Sequence, residues 1–203
     1  MIKIIKAKKA SSSIKSEMSK LFVDCFYDYF RTFSDNKKKL SKCFKNIFNL
    51  NKFYIVLLDK ELIGMGACGN AIDSTIKFKK KNFIFNLGIS KGKRAYKYFK
   101  LIMEERDYAF EVDKDCGMIE FVAVKEDYRN KKVGFTLINH MICDNKYKRY
   151  LAKVGDNNYS ARKVLDNIEF EEFDVEQSKL KEKEDVGVEN YFYMICENKL
   201  FNK

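Results

Sequence analysis

The chain has 203 residues, of which 46% are hydrophobic and 15% aromatic, so it can bury a sizeable core and is too apolar to be disordered. Its 40 Lys and Arg residues against 29 Asp and Glu give a net charge of +11, which favours an anionic partner. No stretch approaches the roughly 20 apolar residues of a membrane span, and no signal peptide is evident. We therefore expect a cytoplasmic protein with no membrane partner.

The cysteines and the histidine predict no metal centre. The six cysteines are scattered without a C-x-x-C pair, which favours reduced, buried thiols over a disulfide framework or a thiolate site. His140 is the single histidine, so most zinc sites and any dyad of two histidines are excluded. We expect His140 to be a structural or surface residue and not a catalytic one.

The first half of the chain predicts a strand, two helices and a hairpin. Residues 2–7 can form a strand, and residues 13–33 carry apolar side chains at helical spacing. A second helix is expected over residues 34–48, with Ser34 or Asp35 as its N-cap. Two apolar runs around the turn Asp59-Lys60-Glu61 are typical of a β-hairpin, whose second strand is glycine-rich.

The second half begins with a highly charged segment, residues 74–115, in which residues 94–112 have the spacing of an amphipathic helix. Beyond it we expect strands at 117–124, 148–154, 170–175 and 189–200, and helices at 130–147 and 157–168. Strands interleaved with helices and hairpins predict an α/β fold. The whole chain, 1–203, is expected to form one domain.

The strand, turn and helix of residues 122–141, VAVKEDYRNKKVGFTLINHM, predict an anion site. The first N–H groups of a helix have no intrahelical partner, and with the macrodipole they favour a ligand such as a pyrophosphate. Arg129, Lys131 and Lys132 raise the local positive potential, and Gly134 allows a close approach of the backbone to a ligand. The alternative is an ordinary solvated turn of a basic protein.

Residues 124–134, VKEDYRNKKVG, resemble the acyl-CoA loop of the GNAT superfamily N-acetyltransferases, which reads (Q/R)-x-x-G-x-(G/A). Arg129 fills the Q/R position and Gly134 the final position, but Lys132 stands where the first glycine usually lies. The affinity for acyl-CoA could suffer from this departure.

A later segment, NYSARKVLDNIEF at 158–170, is similar to a second motif of the family, with Leu165 in the usual Tyr position and Glu169 in a usual Gly position. The resemblance implies a GNAT-like fold: a mixed, mostly antiparallel central sheet with flanking helices. Residues 74–115 would be a helical insertion before the CoA-binding strand.

The resemblance also implies acetyl-CoA as the cosubstrate and a direct attack of a primary amine on its thioester. Loop amides would hold the pyrophosphate, a strand would run beside the pantetheine, and the Val124 N–H would stabilise the oxyanion. For Asn158, capping the next helix is an equal alternative to binding pantetheine. The cofactor-binding residues so implied are Val122, Val124, Arg129, Asn130, Lys131, Lys132, Val133, Gly134 and Asn158.

Acetyl transfer to an amine needs a base for the amine and an acid for the leaving thiolate. Glu120 is our candidate base, because a carboxylate in the middle of a strand is costly to bury without a purpose. It could instead point out of the sheet and pair with a lysine. Leu165 cannot donate a proton, so Tyr159 is our candidate acid, with surface exposure or packing as its alternative.

The acceptor is expected to be an amine-bearing small molecule or peptide, approaching over the first helices. Asp24 and Asp28 could hold a cationic amine, whereas the aromatic residues Tyr27, Tyr29, Phe30 and Phe33 at helical spacing favour a core role. A nucleic-acid partner is disfavoured because no RNA-binding motif is present. The oligomeric state stays open, a homodimer included.

Two alternatives to a competent transferase are retained. Lys132 and Leu165 motivate a catalytically weak acyl-CoA-binding GNAT-fold protein. The positive charge motivates a non-enzymatic basic module that binds RNA or ribosomes.

Overall fold

The computed structural model of the protein describes residues 1–70, 72–105, 110, 112–178, 183–184 and 186–198. The strands are β1 Ile2–Lys6, β2 Phe53–Leu58, β3 Glu61–Asn70, β4 Cys116–Val124, β5 Arg149–Gly155, β6 Glu171–Gln177 and β7 Asn190–Glu197. The helices are α1 Ile14–Cys25, α2 Tyr27–Phe30, α3 Lys37–Phe44, α4 Lys80–Leu87, α5 Ile89–Phe99, α6 Val133–Asp144 and α7 Tyr159–Asp166.

The seven strands form one sheet in the order β1-β2-β3-β4-β5-β7-β6. All neighbours are antiparallel except β4 and β5, which α6 connects as a parallel crossover. Pairing of β4 with β5 stops at Ile119 and Ala152, although β4 continues to Val124 and β5 to Gly155. The predicted mixed, mostly antiparallel sheet with flanking helices is confirmed, and it is open between these two strands.

A β-bulge lies in β4 at the start of this opening. Met65 of β3 pairs with Ala123 but Ala67 pairs with Glu120, so β4 carries one extra residue. Phe121 has a φ of 51°, a conformation that a bulky side chain rarely adopts. Its ring packs with the core on the face of α1 and α3, which is also the face that Glu120 occupies.

The apolar core lies on both faces of the sheet. One cluster joins α1, α3, α4 and α5 to the sheet through a network of phenylalanines around Phe22, Phe44 and Phe99. The other packs α6 and α7 on the opposite face. A Cβ at Gly66 of β3 would lie 3.2–3.3 Å from Met141 and Leu137, so this glycine lets α6 approach the sheet closely.

Local signals account for several element ends. The hairpin turn between β2 and β3 is confirmed, with Asp59 and Lys60 at φ values of 47° and 77°. Asn158 caps α7 by accepting the N–H of Ala161 at 3.1 Å. The N-cap of α3 is Asn36, which accepts the Lys39 N–H, and the expectation of Ser34 or Asp35 in this role was wrong.

The expected helix over residues 13–33 is broken. It ends at Cys25, and Phe26 adopts a non-helical conformation before the short α2. After this break the short α2 places Phe30 in the buried core, while its neighbour Tyr29 lines the opening between β4 and β5.

The charged segment 74–115 contains two helices where one was expected. A Cβ at Gly92 would lie 2.5 Å from the Phe83 carbonyl oxygen, so this glycine permits α5 to cross α4 instead of ending a helix. The helix expected at 94–112 lies partly outside the described residues, since 106–109 and 111 are not described. Within the described part of the chain, no helix is both long and apolar enough to span a bilayer.

All six cysteines have free thiols, as expected. Cys43, Cys68 and Cys116 are buried, Cys25 and Cys196 are half-buried and Cys143 is exposed, so the expectation of buried thiols holds for only part of the set. His140 lies edge-on to the ring of Tyr54 at 5.8 Å between centroids.

Candidate active site

A cleft of about 480 Å³ opens where β4 and β5 separate, a size typical of small-molecule sites. Its walls come from α2, the strands β4 and β5, the turn into α6, the start of α7 and the beginning of β7. The sequence-predicted residues that line it are Glu120, Val122, Val124, Arg129, Asn130, Lys132, Val133, Gly134 and Asn158. The fold thus gathers nearly all the expected cofactor-binding residues around one cavity.

The end of β4 presents its main chain to this cleft. The Lys125 N–H donates to the Ile63 carbonyl of β3 at 2.9 Å. Because antiparallel pairs alternate, the N–H and C=O of Val124 point the other way, into the opening. The Val124 carbonyl accepts bonds from Arg129 Nε at 3.3 Å and from Cys25 Sγ at 3.5 Å.

The N-terminus of α6 faces the same cavity. Within the helix the first main-chain bond runs from the Thr136 N–H to the Lys132 carbonyl, so earlier N–H groups have no helical acceptor. A Cβ on Gly134 would approach only Val124, at 3.8 Å, so there is open space beside this position. These amides and the lysine side chain of residue 132 form a site suited to an anion.

Two loop residues depart from the expected roles. The Arg129 N–H, which was expected to hold a phosphate, donates within the chain to the Glu126 carbonyl at 3.1 Å. Its guanidinium instead folds back onto the end of β4. Lys131 does not line the cleft, and its Nζ lies over the Tyr128 ring, 5.6 Å from the centroid.

Glu120 is half-buried and lines the cleft. Its Oε2 accepts a hydrogen bond of 2.8 Å from the hydroxyl of Thr75, which is fully buried. A carboxylate held in this way inside a cleft is suited to accept a proton from a bound amine.

The structure places Tyr159 away from the chemistry. This side chain is 77% exposed and does not line the cleft, so the expected role as proton donor is corrected. Tyr159 is the first residue of α7, directly after the cap Asn158. For Asn158 itself, the capping alternative is the one observed.

A pair of tyrosines at the cleft was missed. The hydroxyls of Tyr29 in α2 and Tyr191 in β7 lie 3.2 Å apart, and both residues line the cavity. The Nζ of Lys153 lies 4.5 Å from the centroid of the Tyr191 ring and pairs with Glu176 at 2.7 Å. Strand alternation would have put Tyr191 and Tyr193 on one face, but no sequence signal joined that face to α2.

The other residues of the first helices divide between core and cleft. Phe30 and Phe33 are buried, as expected for the core. Asp28 lines the cleft and pairs with Arg31 at 3.5 Å, whereas Asp24 pairs with Lys37 outside it. The structure therefore does not bring the two aspartates together around one amine.

Cys25 is a further cleft residue, at the C-terminal end of α1. Burial raises the pKa of its thiol, against the lowering effect of the nearby Arg129 guanidinium. The thiol is therefore neutral at physiological pH and acts as a small apolar contact beside the end of β4.

The family model described as the acetyltransferase (GNAT) family matches residues 15–170. The chain belongs to this family. Membership supports an acyl-transfer function for the cleft, and a comparison with curated proteins found no significant match.

Solved structures of GNAT and related acetyltransferases share this fold. A GNAT-family acetyltransferase from Bacillus cereus has a TM-score of 0.58 at 12% identity, with 98% of both chains covered. The ribosomal-protein-S18-alanine N-acetyltransferase of Escherichia coli has a TM-score of 0.54 at 11% identity, covering 98% of this chain and 94% of that one. A chain of the NatC complex bound to Gag peptide and CoA has a TM-score of 0.56 at 12% identity, covering 97% and 98%. At these identities the likeness shows the fold alone.

Both positions at which this GNAT chain departs from the glycines of the family motifs have positive φ values. Lys132 has a φ of 59° and Glu169 a φ of 67°. Glycine adopts this region without strain, whereas other residues pay about 1–2 kcal/mol, so the family's glycines are explained by backbone geometry. This chain keeps the same backbone conformation at both positions, with strain at Lys132 and Glu169.

Proposed function

We propose that this protein is an acetyl-CoA-dependent N-acetyltransferase that transfers an acetyl group to a primary amine by direct attack on the thioester. One observation carries the proposal: the opening between β4 and β5 joins the amides at the start of α6 to the Glu120 carboxylate in a single cleft. The chain 1–203 would act as a single acetyltransferase domain on a small-molecule or peptide amine.

Main-chain N–H groups of residues 130–135 would hold the pyrophosphate, with the side chain of Lys132 adding a positive charge. The main chain of Val122 and Val124 would lie beside the pantetheine. Support comes from the direction of the Val124 N–H, which points into the opening and can donate to an oxyanion.

In the reaction the amine nitrogen forms a bond to the thioester carbonyl carbon, and the carbon–sulfur bond then breaks. Glu120 would accept the proton that the amine loses, directly or through water. The thiolate would receive its proton from the hydroxyl of Tyr191, a residue that lines the cleft, because Leu165 has no proton to donate.

A catalytically weak acyl-CoA binder is the second candidate. It is favoured by Leu165, which is buried, lines the cleft and stands where the family motif usually has a tyrosine. In this alternative the cleft would bind acyl-CoA without efficient proton transfer.

A thermal-shift titration with acetyl-CoA, followed by a panel of amines scored by the release of free thiol, tests the proposal. A transferase raises its melting temperature with acetyl-CoA and releases thiol with at least one amine. A melting shift without turnover favours the binder. Binding to RNA that falls steeply with salt, with no response to acetyl-CoA, favours the basic-module alternative instead.

A further inference from the structure

Residues 72–79 follow β3 and cross the face of the sheet on which Glu120 lies. Within this segment Thr75 is fully buried, and its hydroxyl donates to Glu120 Oε2 at 2.8 Å. Buried hydroxyls at hydrogen-bond distance from a carboxylate restrict its rotation and stabilise its ionised form.

The backbone around Thr75 is held from the other side. The Asn49 N–H donates to the Thr75 carbonyl at 2.9 Å, and the Lys77 N–H donates to the Ile47 carbonyl at 2.8 Å. An isolated bridge also pairs Phe48 with Ile76. The segment is therefore bonded to the connection between α3 and β2. These bonds keep the backbone of Thr75 in place when the side chain of Glu120 moves.

The side chain of Thr75 is oriented by β3. A Cβ on Gly69 would lie 2.7 Å from Thr75 Cγ2, so only a glycine there leaves room for the methyl group. A threonine has few χ1 rotamers, so placing its methyl against Gly69 also fixes the direction of its hydroxyl. That direction is the Glu120 carboxylate.

We propose that Thr75 is a positioning residue, which holds the Glu120 carboxylate in the orientation that receives the amine proton. This inference rests on the proposed function, because it acts through the proposed base. Three contacts hold Thr75 in place: its backbone is bonded to the connection between α3 and β2, its methyl group packs against Gly69, and its hydroxyl donates to Glu120. Together they link the charged segment to the cleft.

Other titratable groups share the cleft with Glu120: Cys25 from α1, Asp28 and Tyr29 from α2, Tyr128, Arg129 and Lys132 from the turn into α6, Lys153 from β5 and Tyr191 from β7. They are unchanged in variants at position 75. Differences between such variants therefore report the hydroxyl of Thr75 and not the wider electrostatic field.

The test compares Thr75→Val, which removes the hydroxyl at nearly constant shape, with Thr75→Ser, which keeps it. We expect T75V to lower kcat about tenfold at unchanged acetyl-CoA affinity, and T75S to stay within about twofold of the parent.

A double-variant cycle with Glu120→Gln separates a positioning role from a general structural one. If Thr75 acts through Glu120, T75V has no further effect on the rate in the E120Q background. An equal loss in both backgrounds, or an equal loss in T75S and T75V, would overturn the proposal.

The carbon-13 resonance of the Glu120 carboxyl, assigned with E120Q, needs no turnover and keeps the two proposals distinguishable. An unchanged Glu120 resonance in T75V means that the hydroxyl of Thr75 does not contact the carboxylate, which contradicts the role of Thr75. A shifted resonance together with full turnover in E120Q confirms the contact but rejects Glu120 as the base, and with it the positioning role.

Discussion

The hydroxyls of Tyr29 and Tyr191 lie 3.2 Å apart and connect α2 to β7 across the cleft, although 162 residues separate them in sequence. Either oxygen can donate to the other. A hydroxyl held in this way can give a proton to a leaving thiolate and regain one from its neighbour.

Removing the Tyr191 hydroxyl tests this role. We expect Tyr191→Phe to lower kcat by about 10- to 100-fold, because general acid catalysis by one side chain contributes on this order or more. The affinity for acetyl-CoA should not change. Steady-state kinetics and a binding titration provide the two measurements.

Tyr159→Phe is the matched control, since Tyr159 is exposed outside the cleft and should tolerate the change at full rate. Full turnover in Y191F would reject Tyr191 as the acid. A loss of kcat in Y159F equal to that in Y191F would show that the effect does not depend on whether the tyrosine lines the cleft.

Adjacent lysines at the start of α6 give a second test. Lys132 lines the cleft, whereas Lys131 packs on Tyr128 outside it. We expect Lys132→Glu to weaken acetyl-CoA binding by about tenfold and Lys131→Glu by about threefold or less, because charges act more strongly at short range.

Calorimetric titrations at low and high ionic strength measure the difference between the two lysine variants. The difference in acetyl-CoA affinity between the two variants should become smaller at high salt, since screening weakens exposed charge interactions. Equal losses in the two variants would mean that the phosphates bind elsewhere.

The bulge at Phe121 predicts an unusual order of stability. Replacing the ring by Ala or Gly removes contacts with Phe22, Phe26 and Phe53, at a cost of about 3 kcal/mol or more in the free energy of unfolding. Because Phe121 has a φ of 51°, Phe121→Gly should be more stable than Phe121→Ala by about 1 kcal/mol.

This order reverses the one expected for an ordinary strand, in which glycine is less stable than alanine. Urea unfolding of the two variants measures it. If F121A is the more stable, the bulge does not hold residue 121 in the left-handed region in solution.

The contacts among Tyr54, Asp144 and Lys6, away from the cleft, predict a pH-dependent stability. Asp144 accepts the Tyr54 hydroxyl at 2.5 Å and pairs with Lys6 at 3.5 Å. The Tyr54 hydrogen bond holds the pKa of Asp144 below its ordinary value of 3.8. The stabilisation is therefore present above about pH 4 and is lost as the pH falls through the lowered value.

Asp144→Asn should be less stable than the parent at pH 7, and the difference should shrink as the pH falls below about 4, where the carboxylate takes up its proton. Thermal unfolding of both proteins between pH 3 and 7 measures it, with the exposed Asp28→Asn as control. A difference that stays constant over this range would contradict the role of the charged carboxylate.

Periodicity and turn chemistry predicted the order of the elements and the hairpin at Asp59-Lys60, because both depend on neighbouring residues. The family motifs predicted which loop would face the cleft. They also located the two positions, Lys132 and Glu169, at which this chain lacks the usual glycine. The positive φ values of these residues in the structure explain why glycine is usual there.

The parts that sequence reasoning missed depend on contacts between distant segments. Thr75 meets Glu120, and Tyr29 meets Tyr191, only after the sheet has formed. The break at Phe26 was hidden because apolar spacing continues through it. Tyr159 was misplaced because nearness to Asn158 in sequence says nothing about which side of the helix start a side chain takes.

The most direct test of the account is a crystal structure of the protein with CoA. The account predicts diphosphate oxygens at hydrogen-bond distance, about 2.7–3.2 Å, from the main-chain nitrogens of residues 130–135, with the pantetheine between β4 and β5. A nucleotide bound elsewhere, with those N–H groups bonded within the chain, would contradict it.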